Sequence, residues 1–91
     1  MSHTVDFRPS ALKSLEKLPR AARVQVIGKI ELLAGDPHAA GEAKVVGFEE
    51  IYRVREGNYR VVYTRASNRI LILLVHNRKD VYRELKRQGY R

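Results

Sequence analysis

The sequence predicts an α+β fold: a small, mostly antiparallel sheet in the order β-α-α-β-β-β-α, with an N-terminal helical hairpin packed on it. Three observations predict this arrangement. Apolar residues recur with a helical period of 3.6 before residue 36 and with a strand period of two from about residue 51. Short turn signals divide the second half into strands. The 91 residues contain no repeat or linker-like tract, so we expect one domain spanning residues 1–91.

The first elements are a short strand and two helices. Residues 3–7 alternate in polarity and predict a strand. Pro9 suits the first turn of a helix of about ten residues, because the N–H that proline lacks is not needed there. Pro19 ends that helix and can begin the next, which stops at residues 35–37 (Gly-Asp-Pro). The residues expected to face the core are Leu12, Leu15 and Leu18 in the first helix, then Ala22, Val26, Ile27, Ile30 and Leu33 in the second.

The second half is predicted as a loop over residues 38–47, followed by three strands. Ile51–Arg55 and Tyr59–Thr64 alternate in polarity, and Gly57-Asn58 between them is typical of a two-residue hairpin turn. After a second turn at residues 66–68, six consecutive apolar residues, Ile70–Val75, predict a strand covered on both faces.

A short helix is expected at the C-terminal end of the chain. It begins at Lys79 or Asp80 and runs to about residue 88. We expect Val81, Tyr82 and Leu85 to form its buried side.

The net charge of +8 is unevenly distributed. Residues 1–52 hold seven basic and seven acidic side chains, whereas residues 53–91 hold eleven basic and three acidic ones. Arginine outnumbers lysine twelve to six, and guanidinium suits bidentate contacts to phosphate. The composition therefore favours a polyanionic partner such as nucleic acid, with a merely solvated basic surface as the alternative.

Composition also excludes several classes of protein. The absence of cysteine excludes a disulfide scaffold and a cysteine–zinc module, and it fits a reducing compartment. With no secretory segment and no apolar run of about 18 residues, we expect a cytoplasmic protein that contacts no membrane. The three histidines are dispersed, so neither a metal nor another cofactor is expected.

The hairpin turn determines where the arginines of the two strands project. If Glu56 pairs with Tyr59, then Arg55 lies opposite Arg60, and period-two alternation puts Arg53 on the same face. Like charges that face each other across a strand pair cost roughly 0.2–1 kcal/mol. A face that gathers three guanidinium groups is explained by a phosphate bound between them, or else by an exposed face that simply carries long side chains.

The last strand adds two more candidates. It runs antiparallel to the strand before it, so Arg78, just beyond its end, is expected beside Arg60, with Tyr82 one turn into the final helix. The predicted constellation is Arg53, Arg55, Arg60, Arg78 and Tyr82.

These segments resemble the RelE branch of the RelE/ParE toxin superfamily over nearly the whole chain. The most specific motifs are Gly-x-Tyr-Arg-x-x-Tyr at residues 57–63 and Arg-x-x-Val-Tyr at residues 78–82, with Tyr-Arg-Val-Arg at residues 52–55. The resemblance implies a RelE-like fold and the toxin half of a type II toxin–antitoxin pair. It also implies an endoribonuclease that cuts translated mRNA in the ribosomal A site by attack of the RNA's own 2′-hydroxyl, with no metal ion.

The resemblance also implies roles for individual residues. Arg60 and Arg78 match arginines credited with stabilising the phosphate and protonating the leaving group, and Tyr82 matches a tyrosine that orients or stacks on the substrate. Arg55 joins them in the catalytic set. The substrate-binding residues are Arg53, Lys79 and Arg83. The implied partners are a RelB-like antitoxin, the ribosome with its RNA, and mRNA.

One departure leaves the general base open. Arg53 and Arg55 stand where the best-known RelE toxins carry lysines, and arginine, with a pKa above about 12, essentially cannot lose its proton. Arg55 therefore acts only as an electrostatic clamp, or ribosomal RNA or His76 accepts the proton, or the enzyme is slow. Two other functions stay open: a ParE-like poison of DNA gyrase with the same fold, and a non-catalytic nucleic-acid-binding module.

Overall fold

The computed structural model describes residues 3–91 and confirms the predicted α+β architecture of a sheet with helices packed on it. Within those residues the strands are β1 (Thr4–Phe7), β2 (Ala43–Lys44), β3 (Tyr52–Glu56), β4 (Tyr59–Ala66) and β5 (Arg69–Asn77). The helices are α1 (Pro9–Glu16), α2 (Arg20–Gly35) and α3 (Val81–Arg87).

The strands lie in the order β1-β5-β4-β3-β2. All neighbours are antiparallel except β1, which runs parallel to β5. Strand β5 is therefore interior, as its unbroken apolar run predicts. The prediction of a plain loop over residues 38–47 is wrong, because β2 adds an edge strand there. Its two residues are too short to show any alternation of polarity.

The β3–β4 hairpin has the predicted register. Arg55 lies opposite Arg60 and Arg53 opposite Val62, with Glu56 and Tyr59 closing the turn. Gly57 has a φ of +58°, which a residue without a Cβ adopts at no steric cost in a two-residue turn. The hairpin is thus set by local turn chemistry and places the arginines where the sequence indicates.

Helices α1 and α2 cover one face of the sheet, which we call the helical face. Their buried residues are Ala11 and Leu15 in α1 and Val26, Ile30 and Leu33 in α2, and they pack on Val54, Val61, Tyr63, Ile70, Ile72 and Val75. The expectation that Leu12 and Ile27 face the core is wrong, since they are 45% and 42% exposed. The stripe of residues that each helix buries against the sheet is therefore narrower than the stripe of apolar residues along that helix.

The opposite face of the sheet, which carries the arginines, is covered in part by α3 and the segment 45–51. A second apolar cluster forms there from Val45, Phe48, Ile51, Val62, Leu73, Leu74, Val81 and Leu85. The expectation that Tyr82 lies on the buried side of α3 is wrong, because 42% of the residue is exposed. The arginine face remains open toward the β3–β4 turn and the end of β5.

No helix within residues 3–91 combines the length and the apolar character needed to cross a membrane.

Candidate active site

A row of three side chains crosses the open part of the arginine face. Arg60 of β4 pairs with Arg55 of β3 on one side and with His76 of β5 on the other. Residues directly opposite in antiparallel strands project from the same face, with Cα atoms about 4.5–5.5 Å apart. The sheet therefore holds Arg60 between a guanidinium and an imidazole.

The chain turns sharply after β5 and brings Arg78 to the hairpin turn. The backbone N–H of Arg78 donates to the carbonyl of Asn58 at 3.0 Å. The Oδ1 of Asn77 accepts from the backbone N–H of Lys79 at 3.0 Å, an Asx turn that leads into α3. Arg78 consequently lies at the same end of the sheet as Arg60, as the strand directions predict.

Arg60 lies in an unfavourable environment for a cation. Burial lowers the pKa of its guanidinium, and the nearby charges of Arg53, Arg55 and Arg78 lower it further, opposed only by Tyr82. Its Nε is shielded from solvent and has no hydrogen-bond acceptor among the described residues. These neighbours show that the predicted constellation does assemble around Arg60.

Ion pairing divides eight of the nine arginines in residues 53–91 into two groups; the ninth, Arg91, is the last residue of the sequence. Arg65, Arg69, Arg83 and Arg87 each have a carboxylate oxygen within 4.0 Å, on Glu42, Asp6, Asp80 and Glu84 respectively. Among residues 3–91, no carboxylate lies that close to the four arginines around the row, namely Arg53, Arg55, Arg60 and Arg78. The unpaired group is where an external anion would bind most favourably.

Tyr82 stands beside this group on the exposed side of α3. Its ring contacts that of Phe48, with centroids 6.0 Å apart and an interplanar angle of 35°. Phe48 itself is buried in the second cluster. A buried aromatic residue thus supports an exposed one, which leaves the other face of the Tyr82 ring available for stacking.

The two remaining predicted substrate contacts lie further out. Arg83 pairs with Asp80 at 3.7 Å and is 83% exposed in its side chain. Lys79 is an exposed residue of the turn before α3.

Two contributors were not in the predicted constellation. Phe48 lies in a segment without periodicity and gives no sequence signal. His76 is visible in the sequence, but only the pairing of β4 with β5 shows that it stands next to Arg60. His76 also lines a cavity of about 490 Å³ at the edge of β5, between α1 and α3, together with Lys13, Lys17, Asn77, Glu84 and Arg87.

Comparison with known proteins identifies the family. A family model described as "ParE toxin of type II toxin-antitoxin system, parDE" matches residues 5–82. An Escherichia coli protein described as RelE-like toxin is 32% identical over 88 residues, covering 90% of this chain and 92% of that protein. The chain belongs to the RelE/ParE toxin superfamily.

Solved structures agree with the fold of this RelE/ParE toxin. A mutant of the E. coli toxin RelE in the free state superposes with a TM-score of 0.75 at 26% identity, over 98% of this chain and 99% of that one. The archaeal RelE–RelB complex from Pyrococcus horikoshii gives 0.69 at 27% identity, over 86% and 97%. The resemblance of the sequence to this superfamily is thereby confirmed. The family model carries the name of the ParE branch and the other relatives that of RelE, so the shared fold does not itself decide the activity.

Proposed function

We propose that this toxin is a ribosome-dependent endoribonuclease that cuts translated mRNA in the A site. The observation that carries the proposal is that Arg60 and its three arginine neighbours, Arg53, Arg55 and Arg78, have no carboxylate partner within residues 3–91. Placing cations this close to one another is costly unless an anion joins them. A phosphodiester is an anion that guanidinium groups bind well.

The chemistry follows from what guanidinium groups can do. When a 2′-hydroxyl attacks the neighbouring phosphorus, the transition state carries additional negative charge on the phosphate oxygens. Arg60, held at the centre of the row, is placed to stabilise that charge, with Arg55 beside it on β3 and Arg78 nearby beyond the end of β5. Fixed donors of this kind need no reorganisation during the reaction, which makes them effective.

The proton of the 2′-hydroxyl is removed differently here than in a mechanism in which a lysine accepts it. Arg53 and Arg55 cannot accept a proton, but two cations next to the 2′-hydroxyl make it more acidic. The proton can then pass to water. Arg55 thus serves as an electrostatic clamp in this proposal, and the reaction leaves a 2′,3′-cyclic phosphate and a 5′-hydroxyl.

The Tyr82 ring provides a surface on which a nucleobase can stack. An exposed ring backed by Phe48 can stack on a nucleotide that has left its helix, an interaction worth about 1–3 kcal/mol. Lys79 and Arg83, exposed at the start of α3, are available for contacts to the RNA backbone in the same complex.

We also propose a RelB-like antitoxin as partner. Related structures are RelE–RelB complexes, among them the archaeal one. The unpaired arginines favour an acidic segment, and the helices leave Leu12, Val24, Ile27 and Leu32 between 42% and 62% exposed, which favours an amphipathic one. Coexpression with its cognate RelB-like antitoxin should abolish growth arrest, and the two chains should copurify.

Primer extension on a translated mRNA after induction tests the proposed activity. New 5′ ends within codons, absent when translation initiation is blocked, are expected. Stalled gyrase–DNA complexes with intact mRNA would instead establish the ParE-type activity that the family model's name favours. Salt-sensitive RNA binding without growth arrest would leave only a binding module.

A further inference from the structure

His76 occupies the one place in the arginine row where the ionisable group is not a guanidinium. It stands on the β5 side of Arg60, while Arg55 stands on the β3 side. His76 is half-buried, and it also lines the cavity at the edge of β5, whose lining includes neither Arg55 nor Arg60. A phosphate bound on Arg60 would therefore have a permanent cation on one side and an imidazole on the other.

The cleavage reaction needs different groups on those two sides. The attacking and leaving oxygens lie roughly in line on opposite sides of the phosphorus. The leaving 5′-oxygen needs a proton, since an alkoxide is a poor leaving group. A donor works best when its pKa is near the working pH, which describes an imidazolium far better than a guanidinium.

A carboxylate also lies close to His76. Hydrogen bonds from Arg87 and Gln88 lower the pKa of Glu84 to about 2, and the charge of His76 adds to that shift.

Cations approach His76 from the other elements packed around it. The charged groups are Arg60 from β4, Lys13 and Lys17 from α1, Glu84 and Arg87 from α3, and Arg78 beyond the end of β5. Arg87 is already paired with Glu84, and Lys13 and Lys17 are exposed to solvent, which screens them. The Glu84 carboxylate is the anion in this set.

We propose that His76 is the proton donor to the leaving 5′-oxygen, an inference that rests on the proposed nuclease function. The 2′-O–H bond breaks and its proton passes to water, while the 2′-oxygen forms a bond to phosphorus. The P–O5′ bond breaks, and the imidazolium N–H gives its proton to the 5′-oxygen. The neutral imidazole takes a proton from water before the next turnover.

The tautomer left after transfer is consistent with this role. The Nδ1 of His76 lies 3.4 Å from the carbonyl oxygen of Asn77, at the long end of hydrogen-bond distances. A hydrogen retained on Nδ1 can donate to that carbonyl. Nε2 is then the nitrogen that gives up the proton.

A substrate whose leaving atom needs no proton tests the proposal. mRNA carrying a single 5′-bridging sulfur in the A-site codon is compared with the normal oxygen substrate on programmed ribosomes, in single-turnover experiments. His76→Gln should cut the oxygen substrate about 10²-fold or more slowly than wild type. It should cut the sulfur substrate at about the wild-type rate, because a thiolate leaves without protonation.

Comparing the oxygen and sulfur substrates for the same variant removes the effect of misfolding. Any unfolded fraction slows both substrates equally, so only the ratio of oxygen to sulfur rates reports proton donation. Arg60→Ala should be slow on both substrates, since it removes stabilisation of the phosphate charge itself. Arg78→Ala tests the rival donor: recovery on sulfur for Arg78→Ala and not for His76→Gln would overturn the proposal.

The pH dependence gives a second measure. With wild type, the rate should rise with pH as the 2′-hydroxyl ionises and then level off as the imidazolium is lost. His76→Gln should rise over the whole range without levelling off. Equal losses on both substrates together with an unchanged pH profile would remove His76 from the reaction while leaving the nuclease function standing. If the wild-type protein leaves ribosome-bound mRNA intact, both the role of His76 and the proposed nuclease function are overturned.

Discussion

Strand β4 carries one arginine near each end, and the two lie in opposite electrostatic surroundings. Arg65 forms a bidentate pair with Glu42, with distances of 2.8 and 3.0 Å, and its guanidinium lies 4.8 Å from the ring centroid of Tyr52. Hydrogen bonding to Glu42 raises the pKa of Arg65. At the other end, Arg60 has three arginines for neighbours, and burial and those charges lower its pKa.

The difference shows that a residue type and a strand position do not by themselves assign a role. Glu42 accepts from Tyr63 Oη as well, at 2.5 Å, so the Arg65 end forms a closed network at the β2 edge. The Arg60 end has cations and no counterion among the described residues. We infer that Arg65 serves the fold and Arg60 serves the substrate.

The largest effects are expected when individual arginines are removed and mRNA cleavage is measured. Arg60→Ala and Arg78→Ala should each lower the single-turnover rate of mRNA cleavage on programmed ribosomes by about 10²-fold or more, the usual effect of losing one transition-state donor. Arg69→Ala is the matched control, because it removes the same charge from an exposed pair with Asp6 outside the site. Equal losses in all three variants would mean that the cleavage rate depends on the overall positive charge and not on the positions of Arg60 and Arg78.

Two substitutions at Tyr82 separate base stacking from the chemistry of its hydroxyl group. Tyr82→Ala should slow cleavage about tenfold, since a stacked base contributes about 1–3 kcal/mol. Tyr82→Phe keeps the ring against Phe48 and should cleave at nearly the wild-type rate. A loss as large in Tyr82→Phe as in Tyr82→Ala would instead assign the role to the hydroxyl group.

Arg65→Ala should affect stability rather than cleavage. It leaves the largely buried Glu42 carboxylate with only Tyr63 as donor, and we expect a loss of about 1–2 kcal/mol in the free energy of unfolding after allowance for solvent screening. Denaturant unfolding measures the loss, and the cleavage rate of the folded fraction should not change. An unchanged unfolding midpoint would mean that the pair contributes nothing to the fold.

The smallest expected effect is a loss of stability in acid. Burial alone raises the pKa of Glu42, but hydrogen bonds from Arg65 and Tyr63 outweigh it and lower the pKa, and hydrogen bonds from Arg87 lower that of Glu84 to about 2. A carboxyl whose pKa is lower in the folded state stabilises it above the unfolded value of 4.5, and this contribution is lost as pH falls toward about 2.

The acid effect is measured as the thermal midpoint against pH for wild type and Glu42→Gln. The thermal midpoint of the variant should be lower than that of wild type at neutral pH. It should fall less on acidification, because the variant lacks one of the titrating groups. Parallel curves for the two proteins would show that Glu42 is not among the groups responsible.

Much of the fold follows from local signals in the sequence. The turn at Gly57-Asn58 and the alternation on either side of it determine the hairpin register, so the shared face of Arg53, Arg55 and Arg60 is predictable. Prolines at 9 and 19 mark the starts of the two helices closely. These features depend on neighbours along the chain, and the sequence contains all of that information.

The errors occur where burial depends on distant contacts. Leu12, Ile27 and Tyr82 are apolar or aromatic at helical spacing, yet each is more than 40% exposed. Which side of a helix meets the sheet depends on how the helix is placed, and periodicity alone leaves that choice open. The strand β2 and the support of Tyr82 by Phe48 come from a segment without any regular pattern.

By itself, the sequence determined the family, the hairpin and the set of arginines, because turn chemistry and strand alternation act over a few residues. Only the tertiary structure decided which arginines are neutralised and which are free. Glu42 pairs with Arg65 although the two are 23 positions apart in the sequence, and His76 lies opposite Arg60 on the neighbouring strand. Coulomb interactions fall off with distance in space and not with separation along the chain, so the function of each charge depends on the folded arrangement.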